Sequence, residues 1–314
     1  MLIVCFVPHV ALLIQNCSNM AQLSQTLDSS LYLDSEVHTI LSMGDLIISL
    51  QDERHIISDY LLKSSPIDIS VLQRAFVTIA DQFTSVPDIQ DHLMTLYHFR
   101  EDLMNINNLK AEAFKRTRVY EEINTLLLLN VAKNVKTTTS SLWRQLSACS
   151  DLLRSREELS LALTAHSYYT KEDQMDTLVI SNIQTHIDSG KDSLKSTIQY
   201  LETEKIVKEV NELNEVLIFF EELKQTIVNQ PRIEPTASNI SRYLYTDVDW
   251  STYLDRMRIV QKDLWVIVGS SGRAVVWVAR RTLGIGVAIL ALVLLASPLM
   301  LLLLRHIAYT IQVR

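Results

Sequence analysis

From Asp88 to Gln230 the chain contains no proline, and the one glycine in that stretch is Gly190. Sheet folds need Gly, Asn and Pro at frequent turns, and phosphate-cradling loops need clustered glycine. The 314 residues hold six of each in all, well below the usual shares of about 7% and 5%. Sandwiches, barrels and nucleotide-binding α/β folds are disfavoured. Long helices remain.

Apolar residues recur at three and four from Leu31 to Val228, as at Leu41, Leu46, Leu50, Ile57 and Leu61, the period of a helix with one buried face. Breaks are expected at Ser64-Ser65-Pro66, Ser85-Val86-Pro87, Asn107-Asn108, Thr137–Ser141, Thr170–Asp173, Gly190 and Pro231–Pro235. Asp68, Asp88 and Thr170 stand where N-caps belong. Seven or eight helices of roughly 20–30 residues joined by short loops make antiparallel bundles rather than a rod. A last helix is expected from about Ser238 through Trp250, Leu254, Met257 and Leu264, without a strong breaker before Gly269 and Gly272.

Thr282 to Leu304 is 23 residues long and carries no charge, with Arg280 and Arg281 before it and Arg305 after it. About 20 apolar residues at 1.5 Å rise cross a bilayer core, and the flanking arginines reach the interface. The lipid bilayer is therefore a partner. Residues 1–20 open with a 14-residue apolar run too short to span. It fits a signal peptide or the end of a longer transmembrane helix equally, and either better than a buried strand. The resulting division is an apolar N-terminus at 1–20, a helical domain at 31–268, a transmembrane helix at 282–304 and a short tail at 305–314. The fold class is all-α: packed antiparallel bundles followed by a C-terminal membrane helix.

Six basic residues against Asp263 give residues 262–314 a charge of +5, so with −7 overall the rest carries −12. So acidic a domain disfavours nucleic acid as a partner. Cys5, Cys17 and Cys149 show no metal-ligand spacing, and His55, His92, His98, His166 and His186 form no ligand pattern, so no metal and no cofactor is expected. No Ser/His/Asp or Cys/His arrangement stands out, and the chain is not read as an enzyme. Asn16 and Asn239 head glycosylation sequons.

One charged position conflicts with its surroundings. With Leu46 as origin at 100° per residue, Leu50, Ile57 and Leu61 lie within about 60° and define a core stripe. On the same scale Arg54 at about 80° and Glu53 at about −20° flank that stripe. A guanidinium there needs an acceptor, because an unpaired buried charge is heavily penalised. Two readings follow: an ion pair within the bundle, or a site for a planar oxyanion matched to the five-donor fork. Arg54 facing solvent, or neutralised by a carboxylate with no cavity beside it, would leave a plain helical scaffold.

The run Leu50-Gln51-Asp52-Glu53-Arg54 resembles the L-Q-x-E-R signature of the nitrate/nitrite-sensing (NIT) domain. Downstream, Leu96, Arg100 and Leu103 are similar to its L-x-x-L-R segment. Tyr120-Glu121-Glu122-Ile123-Asn124 with Leu126–Leu129 is similar to its Y-t-x-l-i element, Leu152–Glu157 to its L-x-x-x-K-E segment, and Trp250 with Arg256-Met257 to an element near its end. The likeness covers about residues 35–268. It departs at His55, where the family has glycine, and at Leu159–Leu163, where an E-R pair is usual. The resemblance implies two packed helical bundles that bind nitrate or nitrite through arginines: Arg54 by the signature, with Arg100, Arg156 and Arg256 as further candidates. It also implies a homodimer.

The leading expectation is a membrane-anchored sensor in the plasma membrane, with residues 20–275 extracellular. A helix displacement would pass through the membrane to an output domain outside this chain, a guanylate cyclase in animal receptors of the kind. The alternative is a tail-anchored cytosolic interaction protein, which glycosylation at Asn239 would exclude.

Overall fold

The computed structural model describes residues 2–62, 76–77, 90–105, 115–137, 142–171, 176–203, 206–229 and 247–312. Seven helices account for almost all of them: α1 Leu2–Leu62, α2 Gln90–Asn105, α3 Arg118–Thr137, α4 Trp143–Lys171, α5 Thr177–Thr203, α6 Val207–Asn229 and α7 Asp247–Gln312. No strand occurs among the described residues. The fold is an all-α helical bundle with a terminal apolar helix, as the scarcity of turn residues required.

The breaks expected at Ser64–Pro66, Ser85–Pro87, Asn107-Asn108, Pro231–Pro235 and residues 138–141 lie outside the described residues, as do the caps at Asp68 and Asp88, the sequon at Asn239 and the stretch from Ser238 to Thr246. Three expectations are corrected. Thr170 is not a cap but lies inside α4; Asp176 caps α5 instead, its Oδ1 accepting from the Val179 N–H at 2.7 Å. Gly190 is not a break either. It sits buried in α5 where α4 comes so close that an added Cβ would meet Leu159 Cγ at 2.7 Å and the Ser155 carbonyl oxygen at 3.3 Å. The Ser155 hydroxyl donates to the Gly190 carbonyl at 2.8 Å. Likewise α7 runs on through Gly269 and Gly272, because a helical glycine costs only about 1 kcal/mol and the buried Val268 and Val276 hold that stretch in place.

The chain divides into two compact units, residues 1–37 with 269–314, and residues 38–268. In the second, helices adjacent in sequence pack antiparallel. The α4–α5 seam is marked by Ser196–Asp151 at 2.7 Å and His186–Glu158 at 2.8 Å. Lys224–Asp188 at 2.6 Å joins α5 to α6, and Phe219 stacked on Tyr253 at 3.9 Å joins α6 to α7. The core of this unit includes Leu46, Leu50, Ile57, Leu127, Leu146, Leu152, Leu194, Leu213, Phe220 and Met257, all shielded from solvent. In the first unit α7 carries a stretch long and apolar enough to cross a membrane, and the most apolar part of it is unburied.

Candidate functional site

Four consecutive residues of α1 engage four other helices. Gln51 and Arg54 lie one turn apart and reach α4, where Glu157 accepts from both. Arg54 Nη1 donates to Glu157 Oε1 at 2.5 Å and Nη2 to Oε2 at 3.1 Å, with a further bond from Nη2 to Ser160 Oγ at 3.1 Å. Gln51 Nε2 and, from α3, Asn124 Nδ2 also donate to Glu157 Oε2, at 2.9 and 3.0 Å. Arg54 keeps only 2% of its surface exposed. The helical phase of Arg54 thus does place it in the core, and a carboxylate meets it there.

Glu53 is held the same way by α2 and α3. Arg100 Nε donates to its Oε1 at 2.7 Å and Nη2 to its Oε2 at 2.5 Å, while the Tyr120 hydroxyl donates to Oε1. Burial works to lower the Arg100 pKa, but Glu53 and Tyr120 outweigh it and raise it. Burial and the Glu53 charge push the Tyr120 phenol well above its ordinary value, so it stays a donor. Phe99 edges onto the Tyr120 ring at 6.0 Å, and Phe76 lies against the Arg100 guanidinium at 4.8 Å. These aromatic walls exclude water from the pair.

Asp52 links two more helices. Arg156 of α4 donates to Gln51 Oε1 and to Asp52 Oδ1, the latter at 2.5 Å, and Arg258 of α7 donates to Asp52 Oδ2 at 3.1 Å. Of the candidate arginines, the structure therefore gathers Arg54, Arg100 and Arg156 into one cluster. Arg256 is elsewhere: it pairs with Glu215 and Glu212 of α6 and stacks on Tyr253. Arg258 takes the place on α7 that the family resemblance gives to Arg256. The two lie about 200° apart around a helix, so one faces α6 while the other faces α1. Glu157, Tyr120, Asn124 and Ser160 were also missed as site residues, although the first three stood within the quoted motifs.

The charges do not balance. Three buried guanidiniums, Arg54, Arg100 and Arg156, face two buried carboxylates, Glu53 and Glu157. The half-exposed Asp52 and Arg258 add one of each sign, leaving one cation in surplus; Asp255, 3.9 Å from Arg258, is 66% exposed, and so exposed a charge compensates little. Arg54 Nε and Arg156 Nε are also buried without a hydrogen-bond partner among the described residues, as is one acceptor of the cluster, Asn124 Oδ1. Such groups normally have a partner. A cavity of about 560 Å³ adjoins Arg54, lined also by Lys115, Arg118, Glu121, Thr164 and His186. A hydrogen bond to Glu158 raises the His186 pKa against the effect of burial. No cluster of His, Cys, Asp and Glu suited to a metal ion occurs among the described residues.

Each segment that marked the family resemblance thus delivers a side chain to one cluster, except the last, which supplies Arg258 two residues beyond Arg256. Asn16, the described sequon residue, lies within α1 and is half-buried. Comparisons with curated proteins and with solved structures find no match. The family model for nitrate and nitrite sensing matches residues 45–265, a span that takes in the whole cluster and most of the chain. The chain belongs to the NIT family, whose domains sense nitrate and nitrite.

Proposed function

We propose that this chain is a membrane-anchored sensor whose arginine cluster holds nitrate or nitrite, and whose last helix carries the response toward Thr282–Leu304. The observation that supports it is the surplus guanidinium in the buried layer, with two Nε donors lacking acceptors. A small planar monoanion supplies the missing charge and accepts in the plane of the guanidinium fork. Arg54 and Arg156 are the primary holders, Arg100 being occupied side-on by Glu53.

The response follows from the contacts of Asp52. It binds Arg156 on α4 and Arg258 on α7. An anion that draws Arg156 away weakens the hold of α4 on Asp52 and leaves that carboxylate to Arg258. The position of α7 against α1 then depends on occupancy. A ligand shifts such an equilibrium only by its difference in affinity for the two arrangements, so the shift requires that Arg156 and the anion interact. In this reading residues 38–268 form an extracellular input domain and sense rather than catalyse. A guanylate cyclase output, as the family resemblance implies, would belong to a separate domain.

Calorimetric titration of the full chain in lipid nanodiscs tests the ligand. Nitrate and nitrite are expected to bind saturably and chloride at least tenfold more weakly, because a spherical ion cannot use the fork. Equal affinities for all three, or none, would contradict the assignment.

A further inference from the structure

The unit formed by residues 1–37 and 269–314 contains an antiparallel pair of helical segments. A Cβ on Gly272 would meet Asp34 Oδ1 at 3.4 Å and Val37 Cγ1 at 3.7 Å, and one on Gly286 would meet Leu23 Cδ1 at 2.7 Å and Met20 Sδ at 3.1 Å. With equal rise along both helices, Thr282–Leu304 stands level with roughly residues 3–26 of α1. If Thr282–Leu304 crosses the bilayer, that part of α1 crosses beside it.

The face of α1 turned to α7 is a single stripe. Leu13, Asn16, Met20, Leu23 and Leu27 are half-buried and Ser30 is buried. Gln15, Asn19, Gln22, Thr26 and Ser29 are exposed and follow one another at four, three, four and three. That is the a/d spacing of a two-helix seam. About 70° to 150° around the helix from the α7 face, every position of this seam is polar. Thr26 and Ser29 return their hydroxyls to the carbonyls of Gln22 and Gln25, at 2.9 and 2.8 Å. The three carboxamides have no such local solution.

Lipid tails offer no hydrogen bonds, and polar groups at membrane depth pair across helices. Resting on the membrane-anchored reading above, we propose that the Gln15–Asn19–Gln22–Thr26 seam of α1 is covered in the bilayer by the same seam of a second copy. Carboxamides both donate and accept, so the stripe is complementary to itself. Copies inserted with one topology meet in parallel about a twofold axis along the membrane normal, which brings each seam residue opposite its own counterpart. An asparagine at an a-type position sets register and favours one oligomer size. A second copy satisfies all three amides at once, which an apolar partner helix cannot do.

Cysteine cross-linking of the full chain in liposomes tests this. In a C5S/C17S/C149S background, Asn19→Cys and Thr26→Cys are expected to form disulfide-linked dimers on mild oxidation, since facing seam positions fall within disulfide reach. Ser24→Cys, on the far side of α1, should yield at least tenfold less. In a second arm, Gln15→Leu/Asn19→Leu/Gln22→Leu in the native background should abolish energy transfer between labelled copies. Equal cross-linking at residues 19 and 24, cross-links to other proteins only, or unchanged energy transfer in the leucine variant would each overturn the proposal. Alkaline extraction is run on the same vesicles: release of the chain overturns the membrane reading and this proposal together, whereas retention without seam cross-links overturns the seam alone.

Discussion

Arg54 and Glu157 stand 2.5 Å apart, 103 residues apart in sequence, with side chains 2% and 4% exposed. Removing one member of such a pair strands the other in a low dielectric, whereas replacing both by uncharged groups removes the desolvation cost as well. We predict that Arg54→Met lowers unfolding stability by about 3–5 kcal/mol. In Arg54→Met/Glu157→Gln most of that loss is expected to return. Chemical denaturation of the single and double variants in nanodiscs checks the pattern. Additive losses would mean the pair is not coupled.

Glu157 and an incoming anion compete for the same guanidinium. Glu157→Gln keeps an acceptor for Gln51 and Asn124 but adds a second uncompensated cation to the layer. We therefore expect nitrate to bind this variant about tenfold more tightly than wild type, a gain of about 1.4 kcal/mol. Titration calorimetry checks it. Weaker binding would show that the carboxylate assists the anion rather than opposing it.

Two histidines give stability opposite pH dependences. Burial lowers the His166 pKa from 6.5 to about 4. Its folded pKa is depressed, so its contribution is complete above 6.5 and is lost as pH falls toward 4, up to about 3 kcal/mol. His186 is raised by Glu158, so its contribution is complete below 6.5 and is lost as pH rises through the raised value. His166→Leu should flatten the acid limb of the melting-temperature profile, and His186→Leu the limb above pH 6.5. Unchanged profiles would contradict these shifts.

Much of the fold was legible because helical period and missing turn residues act locally. The period around Leu46, Leu50 and Ile57 also revealed that Arg54 is buried. It did not reveal Glu157 as the partner, because periodicity names the face of a helix and not what docks on it. The same limit explains why Arg256, a candidate through its motif, faces Glu215 and Glu212 of α6 while Arg258 reaches the cluster. Gly190 was read as a break because glycine disfavours helices, yet its missing Cβ is what lets α4 and α5 touch. The surplus charge became visible only when three arginines from separate helices could be set against their carboxylates.

Close packing elsewhere makes a sharper claim about glycine. A Cβ on Gly44 would collide with Trp265 Cζ2 and stand 2.9 Å from Cη2, and the indole is anchored by its Nε1–H bond to the Leu41 carbonyl at 3.1 Å. We expect Gly44→Ala to cost about 1–3 kcal/mol despite the gain in helix propensity. Gly284→Ala, with nothing within 4 Å, should not destabilise. Paired thermal melts decide it, and a stabilised Gly44→Ala would refute the close contact.

Burial holds the Cys149 thiol up at about 12, so it should resist maleimide under native conditions and react only after unfolding. Mass spectrometry of labelled protein with and without denaturant checks this. Rapid native labelling at Cys149 would show that the α4 core opens readily.

Calorimetric titration of nitrate into wild type and into folded Arg54→Met/Glu157→Gln is the most direct test of the central claim. Saturable binding to wild type and none to the double variant is the predicted result. Nitrate binding of equal affinity to both would show that the anion is held elsewhere and that the buried arginine layer only stabilises the bundle.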